Sequence, residues 1–117
     1  MHKTAKEALD FISKVNDGKY YNFSENLIQK CYQVLSNLEH EPFISPTGRG
    51  SIQFEYEKEN DDYLEFEFFE NRIEVYIEYG KGKLEEKILA EDDLDSVYDI
   101  IRKFMKWSKG ELGNNVL

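Results

Sequence analysis

The sequence predicts an α+β fold with two N-terminal helices, a four-stranded antiparallel meander sheet and one C-terminal helix, the helices packing on one sheet face. Three observations lead to this prediction. Apolar residues recur at helical spacing towards both ends of the chain, they alternate with polar residues in its middle, and short turn sequences separate the alternating segments. The 117 residues fit one domain, 1–117, in which 110–117 is expected to be a frayed tail.

The first two helices are predicted from their start and stop signals. Thr4 and Glu7 have the spacing of a capping box, and apolar residues follow at helical spacing as far as Val15, so a helix is expected over about 5–16. The second helix is expected to begin near Ser24. It ends before Pro42, because proline disfavours a helical conformation at the residue that precedes it.

The last helix is predicted within "AEDDLDSVYDIIRKFMKWSKG". Acidic residues crowd its first turn and basic residues lie near its end, which complements the helix dipole at both ends. Gly110 is expected to terminate it. Trp107 lies off the main apolar stripe of this helix, so its role is left open between covering the sheet edge and anchoring a partner.

The middle of the chain predicts the sheet. The segment 42–50, "PFISPTGRG", holds two prolines and two glycines and is expected to be a loop. Period-two alternation follows in segments that begin at Ile52, Tyr63 and Ile73, and a fourth strand is expected from Lys83 to Leu89. Short turns between these strands require antiparallel pairing, and an antiparallel sheet can leave one face in water.

Charge is concentrated in these strands. The chain has a formal net charge of −9, and the stretch from Ser51 to Tyr79 contains ten acidic residues against Lys58 and Arg72. Such an excess argues against direct binding of nucleic acid, because phosphates require basic partners.

The face of the strands turned away from the apolar side is the candidate binding surface. Alternation predicts that acidic and aromatic side chains share it. The candidate partner-binding residues are Glu55, Glu57, Tyr63, Glu65, Glu67, Phe69, Glu74, Tyr76 and Glu78, with Glu85 of the fourth strand as a further candidate. Charge runs usually form solvated faces, whereas exposed aromatic residues are frequent interface anchors. Both interpretations remain open.

Enzymatic and metal-binding functions are disfavoured by the same residues. Glu65, Glu67 and Glu74 carry oxygen ligands, but their spacing matches no calcium-binding loop, so neither a metal nor another cofactor is expected. Paired carboxylates that catalyse acid–base chemistry need a cleft, which an exposed sheet face does not supply. "PTGRG" lacks the ending and the following helix of a phosphate-binding loop. Cys31, on an apolar stripe, is expected to be a buried and unreactive thiol.

The localisation expected is cytoplasmic. The N-terminus is polar and charged, unlike a signal peptide, and no apolar run is long enough to cross a bilayer, so no membrane partner is expected.

"SPTGRGSIQFEYE" followed by "YLEFEFFENRIEVYI" resembles a pattern of small uncharacterised bacterial proteins. That pattern is roughly P-T-x-x-G-x-I-Q-x-E-[WY], followed by a hairpin of alternating glutamates. The match covers about Pro46 to Ile77. The resemblance implies a bacterial or phage origin, and it transfers no activity and no functional residues.

A non-enzymatic interaction protein is the function that these observations favour. It would bind and mask a basic, nucleic-acid-handling protein through the acidic aromatic face, in the manner of an inhibitor, an immunity protein, an antitoxin or a phage anti-defence protein. Alternating carboxylates on a rigid sheet can act as a nucleic-acid mimic, because they imitate the negative field of a nucleic acid backbone. The alternative is a small structural or homo-oligomeric accessory domain whose acidic face is only solvated. A homodimer is possible, and a stable dimer through an apolar patch would favour this alternative.

Overall fold

A computed structural model describes residues 4–80 and 82–106, and these form an α+β fold. Three helices and five strands follow one another as α1 (Ala5–Lys14), α2 (Glu25–Ser36), β1 (Phe43–Pro46), β2 (Ile52–Glu57), β3 (Tyr63–Phe68), β4 (Ile73–Tyr79), β5 (Lys83–Leu89) and α3 (Leu94–Lys106). The predicted fold class is confirmed, with five strands in place of four. The expectations for Trp107, Gly110 and the tail 110–117 lie outside the described residues.

The sheet is a meander in which strand order follows chain order, β1-β2-β3-β4-β5, and every neighbouring pair is antiparallel. The four strands expected from alternation are β2 to β5. The antiparallel meander therefore has the predicted connectivity, with one strand added at the N-terminal edge.

The added strand corrects the prediction of an irregular loop over 42–50. Phe43 to Pro46 pair with β2, and Pro46 lies opposite Ile52 at the end of this short edge strand. Proline is tolerated at a sheet edge, because the ladder bond that it cannot donate is not needed on the open side. The irregular part is confined to the following turn, where Gly48 and Gly50 have φ of +83° and +84°, a backbone conformation that glycine adopts readily.

Side chains cap each helix as local sequence signals predict. The Thr4 hydroxyl accepts from the Glu7 amide at 3.0 Å, and the Ser24 hydroxyl accepts from the Leu27 amide at 3.1 Å. An Asp93 carboxylate oxygen accepts from the amide of a residue in the first turn of α3 at 3.2 Å. These contacts satisfy N–H groups that have no partner within the helix.

Helix α1 ends at Lys14, two residues before the predicted end. The reason is the side chain of Asn16, which accepts from the Phe23 amide at 2.8 Å and donates to the Phe23 carbonyl at 3.0 Å. This pair of bonds holds the connection between the first two helices in a non-helical shape.

All three helices pack on one face of the sheet. Their buried side chains form a single cluster with the alternating apolar residues of the strands. Cys31 of α2 is fully buried in this cluster, and burial raises the pKa of its thiol to about 12, so the thiol is protonated and unreactive at neutral pH. The fully buried members of the cluster include Leu9, Leu27, Val34, Phe104, Ile52, Phe54, Leu64, Phe66, Phe68, Ile73 and Ile77.

Candidate partner-binding face of the sheet

The sheet face opposite the helices, called the outer face below, collects the predicted acidic residues in three rows that cross the strands. The antiparallel register sets these rows, because residues directly opposite one another point to the same side of the sheet. The first row is Glu57, Tyr63, Glu78 and Leu84, the second is Phe43, Glu55, Glu65, Tyr76 and Glu86, and the third is Ser45, Gln53, Glu67, Glu74 and Ile88.

Arg49, in the turn between β1 and β2, binds two glutamates of the third row. Its guanidinium donates to both carboxylate oxygens of Glu67, from Nε at 2.6 Å and from Nη2 at 2.8 Å, and Nη2 also donates to Glu74 at 3.1 Å. Arg72 donates to the other oxygen of Glu74 at 2.6 Å. Two of the predicted binding carboxylates are therefore held by arginines of the chain itself.

Glu67 is the buried member of this group, with 6% of its surface exposed. The hydroxyl of Ser51 donates to it at 2.5 Å. Burial opposes ionisation of the Glu67 carboxyl, but the hydrogen bonds from Arg49 and Ser51 together with the charge of Arg49 outweigh burial and lower its pKa. Glu67 is thus a structural carboxylate that anchors the turn.

Phe69 is not exposed, as a binding anchor would have to be. Strand β3 ends at Phe68, and Phe69 is buried with 8% exposure. The guanidinium carbons of Arg72 and Arg49 lie 3.8 Å and 5.2 Å from its ring centroid. Both guanidinium groups therefore lie over the Phe69 ring in cation–π geometry, and Phe69 is not an exposed anchor.

Tyr63, the first residue of the central strand β3, lies between two glutamates. Its hydroxyl lies 2.5 Å from an oxygen of Glu55 and 2.7 Å from an oxygen of Glu65, and these two glutamates are directly opposite each other on β2 and β3. Burial and these two hydrogen bonds raise the pKa of Tyr63. Because a phenol has one proton to donate, the two carboxylates compete for it.

Tyr76 lies beside Tyr63 on the next strand. The two rings meet edge to face with centroids 6.2 Å apart, and the Tyr76 hydroxyl donates to Glu78 at 3.1 Å. Tyr63 is directly opposite Glu78, and Tyr76 is directly opposite Glu65. Two aromatic rings and two carboxylates therefore alternate as the four corners of a small square. These four residues are called the Tyr–Glu square.

Strand β5 adds different residues to the face from those expected. Glu85 lies opposite Ile77 and therefore points to the helix side, whereas Glu86 lies opposite Tyr76 on the outer face. Lys83 and Lys87 share the side of Glu85. By register neither lysine belongs to the three outer rows, and Glu86 adds a carboxylate to the second row.

The outer face has two parts with different properties. At the Arg49 end, two carboxylates are neutralised by arginines of the chain. Around the Tyr–Glu square, Glu55, Glu57 and Glu86 add carboxylates to the two in the square, and no Lys or Arg occupies these rows. An open depression of about 520 Å³ lies between the two parts, and the residues that line it include Glu65, Tyr76 and Glu86 together with the basic residues Arg49 and Lys87.

Residues 4–80 and 82–106 contain no group of three His, Cys, Asp or Glu side chains that could hold a metal ion. None of their helices is long and apolar enough to cross a membrane.

Comparison with known proteins found no matching family model, no matching curated protein and no matching solved structure. The function proposed below therefore rests on the side chains of the outer face.

Proposed function

We propose that this protein is a non-enzymatic interaction protein whose outer face binds and masks a basic protein, one that handles nucleic acid. The observation that carries the proposal is the Tyr–Glu square, in which Tyr63 and Tyr76 present rings between the carboxylates of Glu65 and Glu78. An inhibitor, an immunity protein, an antitoxin or a phage anti-defence protein would work in this way.

The chemistry of the square suits lysine and arginine side chains. A cation held over a tyrosine ring is attracted by the ring face, and neighbouring carboxylates pair with it directly. The rings are large and lose little conformational freedom on binding, which is typical of interface anchors. The same site therefore attracts a basic partner through its carboxylates and provides contact area through its tyrosine rings.

The carboxylates of the square belong to a larger negative field. Glu55, Glu57 and Glu86 surround it on neighbouring strands of one sheet, so the charges keep fixed spacings. Fixed rows of negative charge attract the same basic surfaces that bind a nucleic acid backbone. The depression of about 520 Å³ beside Tyr76 offers room for partner side chains to enter the face.

Charge reversal on either side of Tyr63 tests the proposal. Glu57 and Glu78 are exposed and flank Tyr63 in the first row, so Glu57→Lys with Glu78→Lys changes the face without disturbing the core. The matched control is Glu39→Lys with Glu70→Lys, which makes the same change of net charge at exposed positions outside the three rows. Proteins captured from bacterial lysates by the wild type and the control, but lost with the first pair, are expected to include the partner.

Association kinetics with the captured protein complete the test. The association rate is expected to fall steeply as ionic strength rises, because salt screens exposed charges. A rate that does not change with salt contradicts electrostatic docking. Equal binding by both charge-reversed pairs contradicts the assignment of this face and favours an acidic surface that is only solvated.

A further inference from the structure

Strand β5 is an edge of the sheet that the described residues form. Within 4–80 and 82–106 it is the last strand in the order and pairs with β4 alone, and Lys83, Leu84, Glu86, Lys87 and Ile88 are all exposed. An edge strand presents backbone N–H and C=O groups that can pair with another chain. The opposite edge, β1, is protected against this because it has four residues and ends in proline. Strand β5 has seven residues and no proline.

Two large apolar side chains project from this edge onto the outer face. Leu84 is 55% exposed and Ile88 is 69% exposed. The two side chains flank Glu86 on the same face of the strand. An exposed edge strand with apolar residues on one face is a typical interaction surface.

The sequence of β5 is complementary to itself in one antiparallel register. When two copies pair about an axis through Glu86, Leu84 lies opposite the second copy's Ile88, and Glu85 lies opposite the second copy's Lys87. Apolar side chains then meet on the outer face and opposite charges meet on the helix side. Such cross-strand pairs are the contacts that stabilise a sheet.

The neighbouring registers lack this match. A shift of two residues in one direction sets Lys83 against Lys87 and Glu85 against its own copy. A shift in the other direction sets Lys87 against its own copy and Glu86 against Ile88. A shift of one residue would place outer-face side chains opposite helix-side ones, which the pleat does not allow.

We propose that β5 is a homodimer interface, in which two copies join antiparallel about Glu86 to form a continuous ten-stranded sheet. The partner that pairs with this edge strand is a second copy of the same chain, because Leu84 then meets Ile88 and Glu85 meets Lys87. The two copies of Glu86 meet at the axis as a like-charge pair, and Lys83 lies opposite the second copy's Leu89 at each end of the paired strands. The Tyr–Glu square lies on β3 and β4, outside the paired strands, so the interface goes beyond the proposed partner binding and does not depend on it. Glu86 and Ile88 border both the interface and the depression on the outer face.

Sedimentation equilibrium of the full chain over about two decades of concentration tests the association by mass action. The mass is expected to rise from 13.9 kDa towards twice that value. Leu84→Thr with Ile88→Thr is expected to weaken the dimer at least about tenfold, because threonine keeps the strand but removes the apolar pairs. The control is Phe43→Thr, which removes an apolar residue that is 61% exposed on the other edge strand and should leave the mass unchanged.

Cross-linking tests the register. Residues opposite each other on antiparallel strands are close enough for a disulfide, so Glu86→Cys is expected to give a disulfide-linked dimer under oxidising conditions. Leu84→Cys is the control, because the two copies of residue 84 lie about 13 Å apart along the strands. A mixture of the Leu84→Cys and Ile88→Cys proteins is expected to cross-link. The native Cys31 is fully buried and does not compete.

Two outcomes would overturn this interface. One is a monomer throughout the concentration range, with Glu86→Cys no more readily cross-linked than Leu84→Cys. The other is a dimer that Phe43→Thr weakens and the β5 substitutions do not, which would place the contact on the other edge. Both outcomes leave the charge-reversal test of the outer face unaffected, so the two proposals can fail separately.

Discussion

Arg49 forms a two-bonded ion pair with Glu67, with Nε–Oε2 and Nη2–Oε1 distances of 2.6 Å and 2.8 Å. The pair joins the turn after the first strand to the middle of the sheet. It also removes the most buried glutamate of the face from any role in partner binding.

Glu67→Gln is expected to lower the free energy of unfolding by about 1–2 kcal/mol, because a neutral amide replaces a buried carboxylate that accepts charge-assisted hydrogen bonds. Urea denaturation measures the change. Glu57→Gln is the matched control at an exposed position of the same face, and it should change the free energy of unfolding by less than about 0.5 kcal/mol. Equal effects would show that the Arg49 contact adds no stability.

Acid should destabilise the wild type more than Glu67→Gln. The pKa of Glu67 is lowered in the folded protein, so its contribution to stability is present above the ordinary glutamate pKa of about 4.3 and is lost as pH falls through the lower folded value. Urea denaturation at a series of pH values from neutral downwards measures this. Identical slopes for the two proteins in that window would contradict the direction of the shift.

Tyr63→Phe is expected to lower the free energy of unfolding by about 1 kcal/mol, because Glu55 and Glu65 lose the hydroxyl that lies between them. Tyr20→Phe, at a position that is 75% exposed, is the control and should be nearly neutral.

Alkaline titration followed by ultraviolet absorbance gives a second measurement on these variants. Because the pKa of Tyr63 is raised, Tyr63→Phe should remove none of the absorbance change seen near pH 10, where unperturbed tyrosines ionise. Loss of one tyrosine from that first transition would contradict the hydrogen-bonded position of Tyr63.

Phe69→Leu is expected to lower the free energy of unfolding by about 1–2 kcal/mol. The change leaves space under Arg72 and removes the ring face that its guanidinium covers. Phe43→Leu makes the same substitution at a side chain that is 61% exposed and should be nearly neutral. Thermal unfolding of the two variants in parallel provides the comparison.

Local patterns predicted most of the fold. The caps at Thr4 and Ser24 depend on residues three positions apart, and the alternation of β2 to β4 depends on burial of one face, so both can be read along the chain. Strand β1 could not be read in this way. Its four residues include Pro46, and its pairing partner lies on another segment.

Alternation predicted most residues of the candidate face. It did not predict that arginines neutralise the glutamates at one end of the face. Arg49 reaches Glu67 across eighteen positions, and only the sheet register brings the two together. Phe69 is buried because Arg49 and Arg72 lie over its ring, and alternation along one strand does not reveal such a cover. The adjacent Glu85 and Glu86 could be assigned to faces only once the β4–β5 register was known. The available signal was that Arg49 is one of the few basic residues close to a strongly acidic segment.

The order of the meander bears on how fast the chain folds. Each strand pairs with the next along the chain, so every hairpin closes over a short loop before any distant segments need to meet. Folding rates rise as contacts become more local. The slow step in this chain is therefore expected to be the docking of the N-terminal helix against the first strand and the core, with the sheet itself assembling early.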